Sequence, residues 1–182
     1  MKITRLAIPD ICLIEPQIFG DSRGFFLESW RDDVFRRDVA DVSFVQDNQS
    51  RSKRGTLRGL HYQSRHTQGK LVRCTIGRIW DVAVDVRRSS STFGKWVGAD
   101  LSDENHAQLW IPAGFAHGFI VLSESADMQY KVTDRYDQTS EKTLLWNDSA
   151  LAIQWQLAEG VTPLLSPKDQ TGTRLADIEV LP

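Results

Sequence analysis

The 182-residue sequence lacks any long apolar run, and this absence excludes several classes of protein. A membrane-spanning helix needs about 20 consecutive apolar residues, and no stretch of this chain approaches that length. The first residues, Met1–Pro9, also lack the apolar core of a secretory signal peptide. We therefore expect a soluble, cytoplasmic protein without a membrane partner.

The sequence also lacks an excess of charge of one sign and is poor in cysteine. Its 22 Lys and Arg residues nearly balance 24 Asp and Glu residues, and the isoelectric point is about 6.1. Domains that bind nucleic acids usually carry a basic patch, so we expect no nucleic-acid partner. The only cysteines, Cys12 and Cys74, form no CxxC pair. A single disulfide is one alternative, but we favour buried free thiols in a reducing compartment.

Alternating apolar and polar residues predict a chain made mostly of β-strands. In residues 79–86, Trp80 and the three valines share one face, and Ile79, Asp81, Ala83 and Asp85 share the other. We predict that Lys70–Ile76 pairs with this strand through a tight turn at Gly77 and Arg78. Further strands are predicted at Ile11–Glu15, Phe25–Trp30, Trp96–Leu101, Gln108–Ile111, His117–Leu122, Asp127–Thr133, Leu144–Trp146 and Ala150–Gln156.

Helical signals are few and short. Arg31–Val39 carries a small apolar stripe, and a second helix is predicted to open at Ser166 and Pro167, with serine as the cap. The length fits one domain, and the chain contains no repeat or linker. Many short strands separated by turn residues favour a jelly-roll or a related β-barrel over a parallel α/β sheet.

Three basic residues of different kinds lie close together in Leu57–Lys70. Arg58 can bind a phosphate, the imidazole of His61 can move a proton near neutral pH, and the ammonium of Lys70 can stabilise developing negative charge. This combination favours a functional role for His61 over a purely structural one. The segment therefore predicts a site that binds and transforms an anionic ligand.

The remaining histidines give weaker signals. The sequence around His117 is equally consistent with a hydrogen-bonded core histidine and with a site residue. We expect His66 and His106 to face solvent. A metal site needs three or more converging ligands. The chain has no His-x-His pair, and the donors nearest to His61 are cations. We therefore predict no bound metal.

An ordered set of motifs resembles the dTDP-4-dehydrorhamnose 3,5-epimerase family. Pro112-x-Gly114-x-x-His117 is similar to the second motif of the cupin superfamily, whereas the metal-binding His-x-His of the first motif is missing. The matching segments are Gly20–Glu28, Phe44–Ser50, Leu57–Gln63, Gln68–Val72, Asp81–Arg87, Thr92–Gly94, Leu109–Phe119, Tyr130–Lys131 and Leu165–Asp169. The resemblance implies a cupin-type jelly-roll β-barrel with a few short helices, with residues 1–182 as one domain.

The resemblance also implies roles for particular residues. It makes His61 the general base, Asp169 its carboxylate partner and Tyr130 the general acid, and it places Lys70 beside the carbonyl of the sugar. Tyr136 matches an aromatic residue that stacks on thymine, although Arg135 stands where many relatives have a second aromatic residue. Residues that match positions holding the nucleotide, the diphosphate or the sugar are Arg23, Glu28, Gln46, Asn48, Arg58, His117, Glu141 and Lys168.

The implied reaction inverts C3 and C5 of dTDP-4-keto-6-deoxy-D-glucose and gives dTDP-4-keto-L-rhamnose, in the synthesis of dTDP-L-rhamnose. Such an enzyme needs no cofactor, because the ketone at C4 already acidifies the neighbouring C–H bonds. The resemblance also implies a homodimer in which the apolar run Ile11–Ile14 pairs with the partner. Three alternatives stay open: an epimerase that inverts one centre, a non-catalytic cupin that binds sugar nucleotides, and a metal-dependent cupin enzyme.

Overall fold

The chain forms two facing antiparallel sheets in a computed structural model that describes residues 1–157 and 161–181. The strands are β1 (Lys2–Arg5), β2 (Cys12–Glu15), β3 (Ile18–Asp21), β4 (Gly24–Leu27), β5 (Gln46–Lys53), β6 (Leu57–Gln63), β7 (Lys70–Ile76), β8 (Arg78–Asp85), β9 (Trp96–Ser102), β10 (Gln108–Ile111), β11 (Phe115–Val121), β12 (Ser125–Val132) and β13 (Glu141–Thr143). Within the described residues, the six-stranded sheet has the order β1-β2-β10-β7-β12-β5, and the five-stranded sheet has the order β13-β6-β11-β8-β9. The predicted mostly-β jelly-roll is confirmed.

Helices are short, as the sequence predicts. They are α1 (Asp32–Asp38), α2 (Pro167–Gln170) and a 3₁₀ turn at Leu175–Asp177. Helix α1 lies on the outer face of the six-stranded sheet, where Phe35 packs against Leu71 and Trp110. At α2, Ser166 caps the first turn, because its hydroxyl oxygen accepts a hydrogen bond from the amide of Asp169 at 3.2 Å.

The alternation in β8 divides the two hydrophobic layers as predicted. Ile79 and Ala83 face the space between the sheets, where they join residues of β7 and β12. Val82 and Val84 face the opposite way and pack against the C-terminal segment that covers the outer surface of the five-stranded sheet. The inward face of β8 also carries Asp81, which is fully buried.

The predicted pairing of Lys70–Ile76 with β8 is wrong. Strand β7 pairs with β10 and β12, and the turn at Gly77 carries the chain across to the other sheet. Gly77 has a φ of 77°, and a Cβ atom there would lie 2.1 Å from the carbonyl oxygen of Ser125. Alternation specifies which face of a strand is buried, but it does not specify the neighbouring strand.

Two predicted strands near the C-terminus are absent, and five strands were missed. Leu144 makes only an isolated bridge, and Ala150–Gln156 is irregular, because Leu151 and Trp155 cover the sheet without pairing with it. The predicted strand Phe25–Trp30 is shorter and ends at Leu27. Strands without a prediction are β1, β3, β5, β6 and β13.

Both cysteines are buried free thiols, as predicted. In residues 1–157 and 161–181, no helix has the length and apolar character needed to cross a membrane.

Two glycines bring β6 and β11 unusually close together. Gly59 has a φ of 121°, and a Cβ atom there would lie 2.5 Å from the Cα atom of Gly118. A Cβ atom on Gly118 would in turn lie 2.6 Å from the carbonyl oxygen of Arg58. The register shifts between His117 and Phe119 at this point. The close approach therefore shapes the strand segments that carry Arg58, His61 and His117.

We expect Gly59→Ala to lower the free energy of unfolding by more than about 2 kcal/mol, since backbone strain and overpacking each cost roughly 1–3 kcal/mol. Urea unfolding followed by tryptophan fluorescence measures the change. Gly20→Ala is the control, because the nearest atom to its added Cβ would be 3.8 Å away. Equal midpoints for the two variants would contradict the proposed constraint.

Candidate active site

A cavity of about 400 Å³ lies between the sheets and is lined by most of the predicted site residues. Strands from both sheets contribute, and α2 closes one side. The predicted residues on its wall are Arg58 and His61 from β6, Lys70 from β7, His117 from β11, Tyr130 from β12, Glu141 from β13, Lys168 and Asp169 from α2, and Tyr136 from the loop before β13.

The central contact joins His61 to Asp169. Nε2 of His61 lies 2.7 Å from Oδ1 of Asp169, although 108 residues separate the two in sequence. The same carboxylate accepts a hydrogen bond from the amide of Gly59 at 3.2 Å and another from the hydroxyl of Ser166 at 2.6 Å. Asp169 is only 3% exposed, so its orientation is fixed on every side by protein groups.

The environment makes this pair suitable for accepting a proton. Burial lowers the pKa of His61, and the hydrogen bond to Asp169 opposes that effect. Burial raises the pKa of Asp169, but the hydrogen bonds from His61 and Ser166 outweigh it, so the pKa lies below its usual range. At neutral pH the carboxylate is therefore ionised and the imidazole is neutral, with its Nε2 proton directed at Asp169. Nδ1 of His61 has no hydrogen-bond partner among the described residues and can act as the base.

Lys70 is a buried cation in the same cavity. Its side-chain ammonium donates a hydrogen bond to the carbonyl oxygen of His61 at 3.3 Å. Burial lowers the pKa of Lys70 to about 8, and the negative charges of Asp81 and Glu141 act in the opposite direction. The side chain is thus charged at neutral pH, while it remains close to losing its proton.

Tyr130 contributes a phenol on the six-stranded sheet, on the side of the cavity opposite β6. Burial raises the pKa of Tyr130, so its hydroxyl stays protonated at neutral pH and can donate a proton or a hydrogen bond. In the β5–β12 register Tyr130 lies opposite Asn48. Asn48 accepts a hydrogen bond from the side-chain amide of Gln46 at 2.8 Å, and neither of these predicted site residues lines the cavity.

A chain of hydrogen bonds runs along the rim. The hydroxyl of Tyr136 donates to one carboxylate oxygen of Glu141 at 2.8 Å, and the ammonium of Lys168 contacts the other at 2.5 Å. Arg58 donates through Nε to the hydroxyl of Ser52 at 3.0 Å, which directs its guanidinium along the same cavity. Two cations at the mouth of a closed polar cavity suit a phosphate or diphosphate group.

The structure does not bring Arg23 and Glu28 to this cavity. Arg23 lies on the exposed β3–β4 hairpin, where it pairs with Asp21 at 2.6 Å. Glu28 follows the hairpin and lies 4.0 Å from Arg31. Their assignment to the binding site stays a prediction, and within one chain they are outside the cavity.

The other histidines fall into three environments. His66 is exposed as predicted, whereas His106 is only partly exposed, because its ring packs 4.4 Å from that of Phe25. His117 is 6% exposed and lines the cavity. Nε2 of His117 lies 3.0 and 2.9 Å from the two carboxylate oxygens of Asp81.

Sequence reasoning missed Asp81 and Ser50 as site residues. The alternation in residues 79–86 placed Asp81 on one face with Ile79 and Ala83, and an acidic residue among buried apolar neighbours requires a partner. That signal was present in the sequence, but it did not identify His117 as the partner. Ser50 lines the cavity, and its buried hydroxyl has no hydrogen-bond partner among the described residues.

A sequence model described as dTDP-4-dehydrorhamnose 3,5-epimerase matches residues 5–177. The chain belongs to this epimerase family. It is 58% identical to the dTDP-4-dehydrorhamnose 3,5-epimerase of Pseudomonas aeruginosa, over 100% of both chains. It is 42% identical to the enzyme of that name from Methanothermobacter thermautotrophicus, over 93% of this chain and 91% of the relative.

Solved structures give the same result. The dTDP-6-deoxy-D-glucose-3,5-epimerase of Legionella pneumophila, solved in complex with dTDP-4-keto-L-rhamnose, superposes with a TM-score of 0.94 at 51% identity, covering 98% of this chain and 94% of that one. A 3′-monoepimerase from Streptomyces bikiniensis, in complex with dTDP-quinovose, gives 0.87 at 32% identity, covering 94% and 86%.

The described part of the chain contains no group of three His, Cys, Asp or Glu side chains able to hold a metal ion. The absence of a metal from the reaction remains a prediction.

Proposed function

We propose that this chain is an epimerase that inverts C3 and C5 of dTDP-4-keto-6-deoxy-D-glucose and forms dTDP-4-keto-L-rhamnose. The observation that carries the proposal is the 2.7 Å contact between His61 and a buried carboxylate, in a cavity shared with Tyr130 and Lys70. Family membership supports the same reaction, and so does the Legionella relative, whose bound dTDP-4-keto-L-rhamnose is the proposed product.

His61 is the proposed general base. The C4 ketone acidifies the C–H bonds at C3 and C5, and a positioned imidazole accelerates proton removal by roughly 10²–10⁴-fold. Asp169 holds the ring by its Nε2 proton and stabilises the imidazolium that forms, so Nδ1 takes the proton from carbon.

Lys70 and Tyr130 complete the reaction. Proton removal leaves an enolate with negative charge on O4, and the buried ammonium of Lys70 stabilises that charge. Tyr130 then returns a proton to carbon from the side opposite His61. Removal from one face and return to the other inverts the centre.

The nucleotide occupies the rim of the cavity in this proposal. Arg58 and Lys168 bind the diphosphate, and the exposed ring of Tyr136 stacks on thymine. Lys168 is paired with Glu141 in the structure, so diphosphate binding replaces one anionic partner with another. The remaining proposed contacts to the sugar or nucleotide come from Gln46, Asn48, His117 and Glu141.

The two distant residues, Arg23 and Glu28, fit a homodimer in which the hairpin reaches the site of the partner. The hairpin exposes Phe19 and Phe26, which are cross-strand neighbours and are 55% and 69% exposed. The sequence argument for the dimer, an unpaired strand at Ile11–Ile14, was wrong, because β2 pairs with β1 and β10 of the same chain. The apolar hairpin supports the dimer instead.

The proposal also assigns the enzyme to the cytoplasm, where the free thiols of Cys12 and Cys74 stay reduced.

Incubation with dTDP-4-keto-6-deoxy-D-glucose in D₂O tests the function directly. Deuterium should enter at both C3 and C5, and NMR should identify the L-sugar as the product. Exchange at one centre alone would instead assign a mono-epimerase, and no exchange would reject the epimerase function.

His61→Ala should retain substrate binding and lose more than nine-tenths of turnover, since the base acts mainly in the transition state. Asp169→Asn should also be slow.

Tyr130→Phe should separate proton removal from proton return. Because His61 is intact in this variant, deuterium should still wash into the sugar, while formation of the L-sugar fails at one centre or more. The control is Tyr62→Phe, which lies on β6 and donates its hydroxyl to the carbonyl oxygen of Glu179 at 2.7 Å. Normal production of the L-sugar by Tyr130→Phe would remove Tyr130 from the role of acid.

Light scattering at low micromolar concentration tests the dimer. Wild-type protein should have twice the chain mass of 20.7 kDa. Replacing Phe19 and Phe26 together by serine should give monomers, whereas Ile76→Ser, which alters an exposed apolar residue elsewhere, should leave the dimer intact. A wild-type mass near 20.7 kDa would contradict the proposal.

A further inference from the structure

Asp81 is a buried acidic residue that none of the roles above uses. Its side chain is fully buried on the inward face of β8. Both of its oxygens face Nε2 of His117, at 3.0 and 2.9 Å. No other side chain or amide in the described residues donates a hydrogen bond to it. His117 in turn lines the cavity beside Lys70.

A carboxylate in such a position is unfavourable unless a cation lies nearby. Burying an unpaired charge is strongly destabilising, so a buried carboxylate is retained where it interacts with positive groups. Glu141 on β13 lines the same cavity as Lys70, and it is already engaged by Lys168 and Tyr136. Among the described residues, Asp81 is engaged only by the imidazole of His117, which leaves its charge available to the ammonium of Lys70.

We propose that Asp81 is a positioning residue that acts through its two neighbours: its charge keeps Lys70 protonated, and its two oxygens fix the ring of His117 at the cavity wall. The inference rests on the proposed function, in which charged Lys70 stabilises the enolate. Asp81 touches no reacting atom in this arrangement, and its effect reaches the substrate through Lys70.

The electrostatics around Lys70 agree with this placement. Burial is the largest influence on the pKa of Lys70 and lowers it to about 8, and Asp81 is the largest influence that raises it. Glu141 also raises the pKa, and the positive charge of Lys168 on α2 lowers it. The imidazoles of His61 on β6 and His117 on β11 line the same cavity as Lys70.

Removing the charge of Asp81 should therefore change the pH dependence of kcat. Lys70 must be protonated to stabilise the enolate, so on the alkaline side of the profile kcat should fall as the pH rises through the pKa of Lys70, about 8. Asp81→Asn keeps the shape of the side chain but removes its charge. We expect this alkaline limb of the profile to move to lower pH by about one unit.

Asp85→Asn is the matched control. Asp85 lies on the same strand and the same face and is equally buried, but it is held by Arg87, Ser90 and Thr92. This variant should lose stability without moving the alkaline limb. A general loss of packing in β8 would affect both variants alike, so a shift in both would overturn the proposal.

An NMR titration measures Lys70 itself, independently of turnover. With lysine labelled by ¹³C at the ε-carbon, the Lys70 signal is the one that disappears in Lys70→Arg. The signal should titrate near pH 8 in the wild type and about one unit lower in Asp81→Asn. An unchanged Lys70 pKa in that variant would overturn the proposal.

The titration also separates this inference from the proposed function. Absence of deuterium exchange in the wild type would reject the epimerase function, while the Lys70 titration would still measure the effect of Asp81. Should Asp81→Asn fail to fold, the wild-type titration decides. Lys70 that is charged at pH 7 supports the proposal, and Lys70 that is neutral at pH 7 overturns it.

Discussion

The hydrogen bond between His61 and Asp169 is the interaction on which the rest of the site depends. It joins β6, which lies between β13 and β11 in the five-stranded sheet, to a four-residue helix near the C-terminus. The same carboxylate binds the amide of Gly59, which lies at the close approach of β6 and β11. Ser166 both caps α2 and donates to Asp169, so the position of the carboxylate is set by the backbone on two sides. If α2 were displaced, the imidazole of His61 would lose the hydrogen bond to Asp169 that orients it.

Burial gives each ionisable group in the cavity its particular state. It lowers the pKa of His61 and the pKa of Lys70, and it raises the pKa of Tyr130. At neutral pH these three changes favour an unprotonated imidazole on His61 and a protonated phenol on Tyr130. They leave Lys70 protonated, with a pKa of only about 8. The carboxylate of Asp169 opposes the lowering of the His61 pKa, and the carboxylate of Asp81 opposes the lowering of the Lys70 pKa. The barrel thus brings a phenol, an imidazole and an ammonium to the wall of one cavity, each with its ionisation changed by burial.

Local patterns predicted those parts of the fold that local forces decide. The two faces of β8, the serine cap of α2 and the exact bounds of Gln108–Ile111 all follow from short-range alternation or capping. Polar β5 escaped prediction, because its inward residues border a cavity and its outward residues face solvent at a sheet edge. The irregular segment around Leu151 and Trp155 was mistaken for a strand, since burial on one side produces the same pattern without pairing.

For the candidate site, the sequence predicted most of the residues but not the contacts between them. Motif resemblance identified nine residues that the fold brings to one cavity, among them His61 and Asp169. It could not give the contacts that cross the barrel, because the pairing of residues far apart in sequence depends on which strands become neighbours. The bond between His117 and Asp81 is such a contact. Arg23 and Glu28 show the opposite case, in which a motif places residues in a site that one chain alone does not complete.

The tautomer of His61 tests the central claim most directly. The geometry requires the ring proton on Nε2, facing Asp169, and an unprotonated Nδ1. Long-range ¹H–¹⁵N NMR of histidine-labelled protein at pH 7 distinguishes the two ring nitrogens, and exposed His66 provides an internal comparison. The account predicts a neutral ring with its proton on Nε2. A proton on Nδ1 alone, or a fully protonated ring at pH 7, would contradict it.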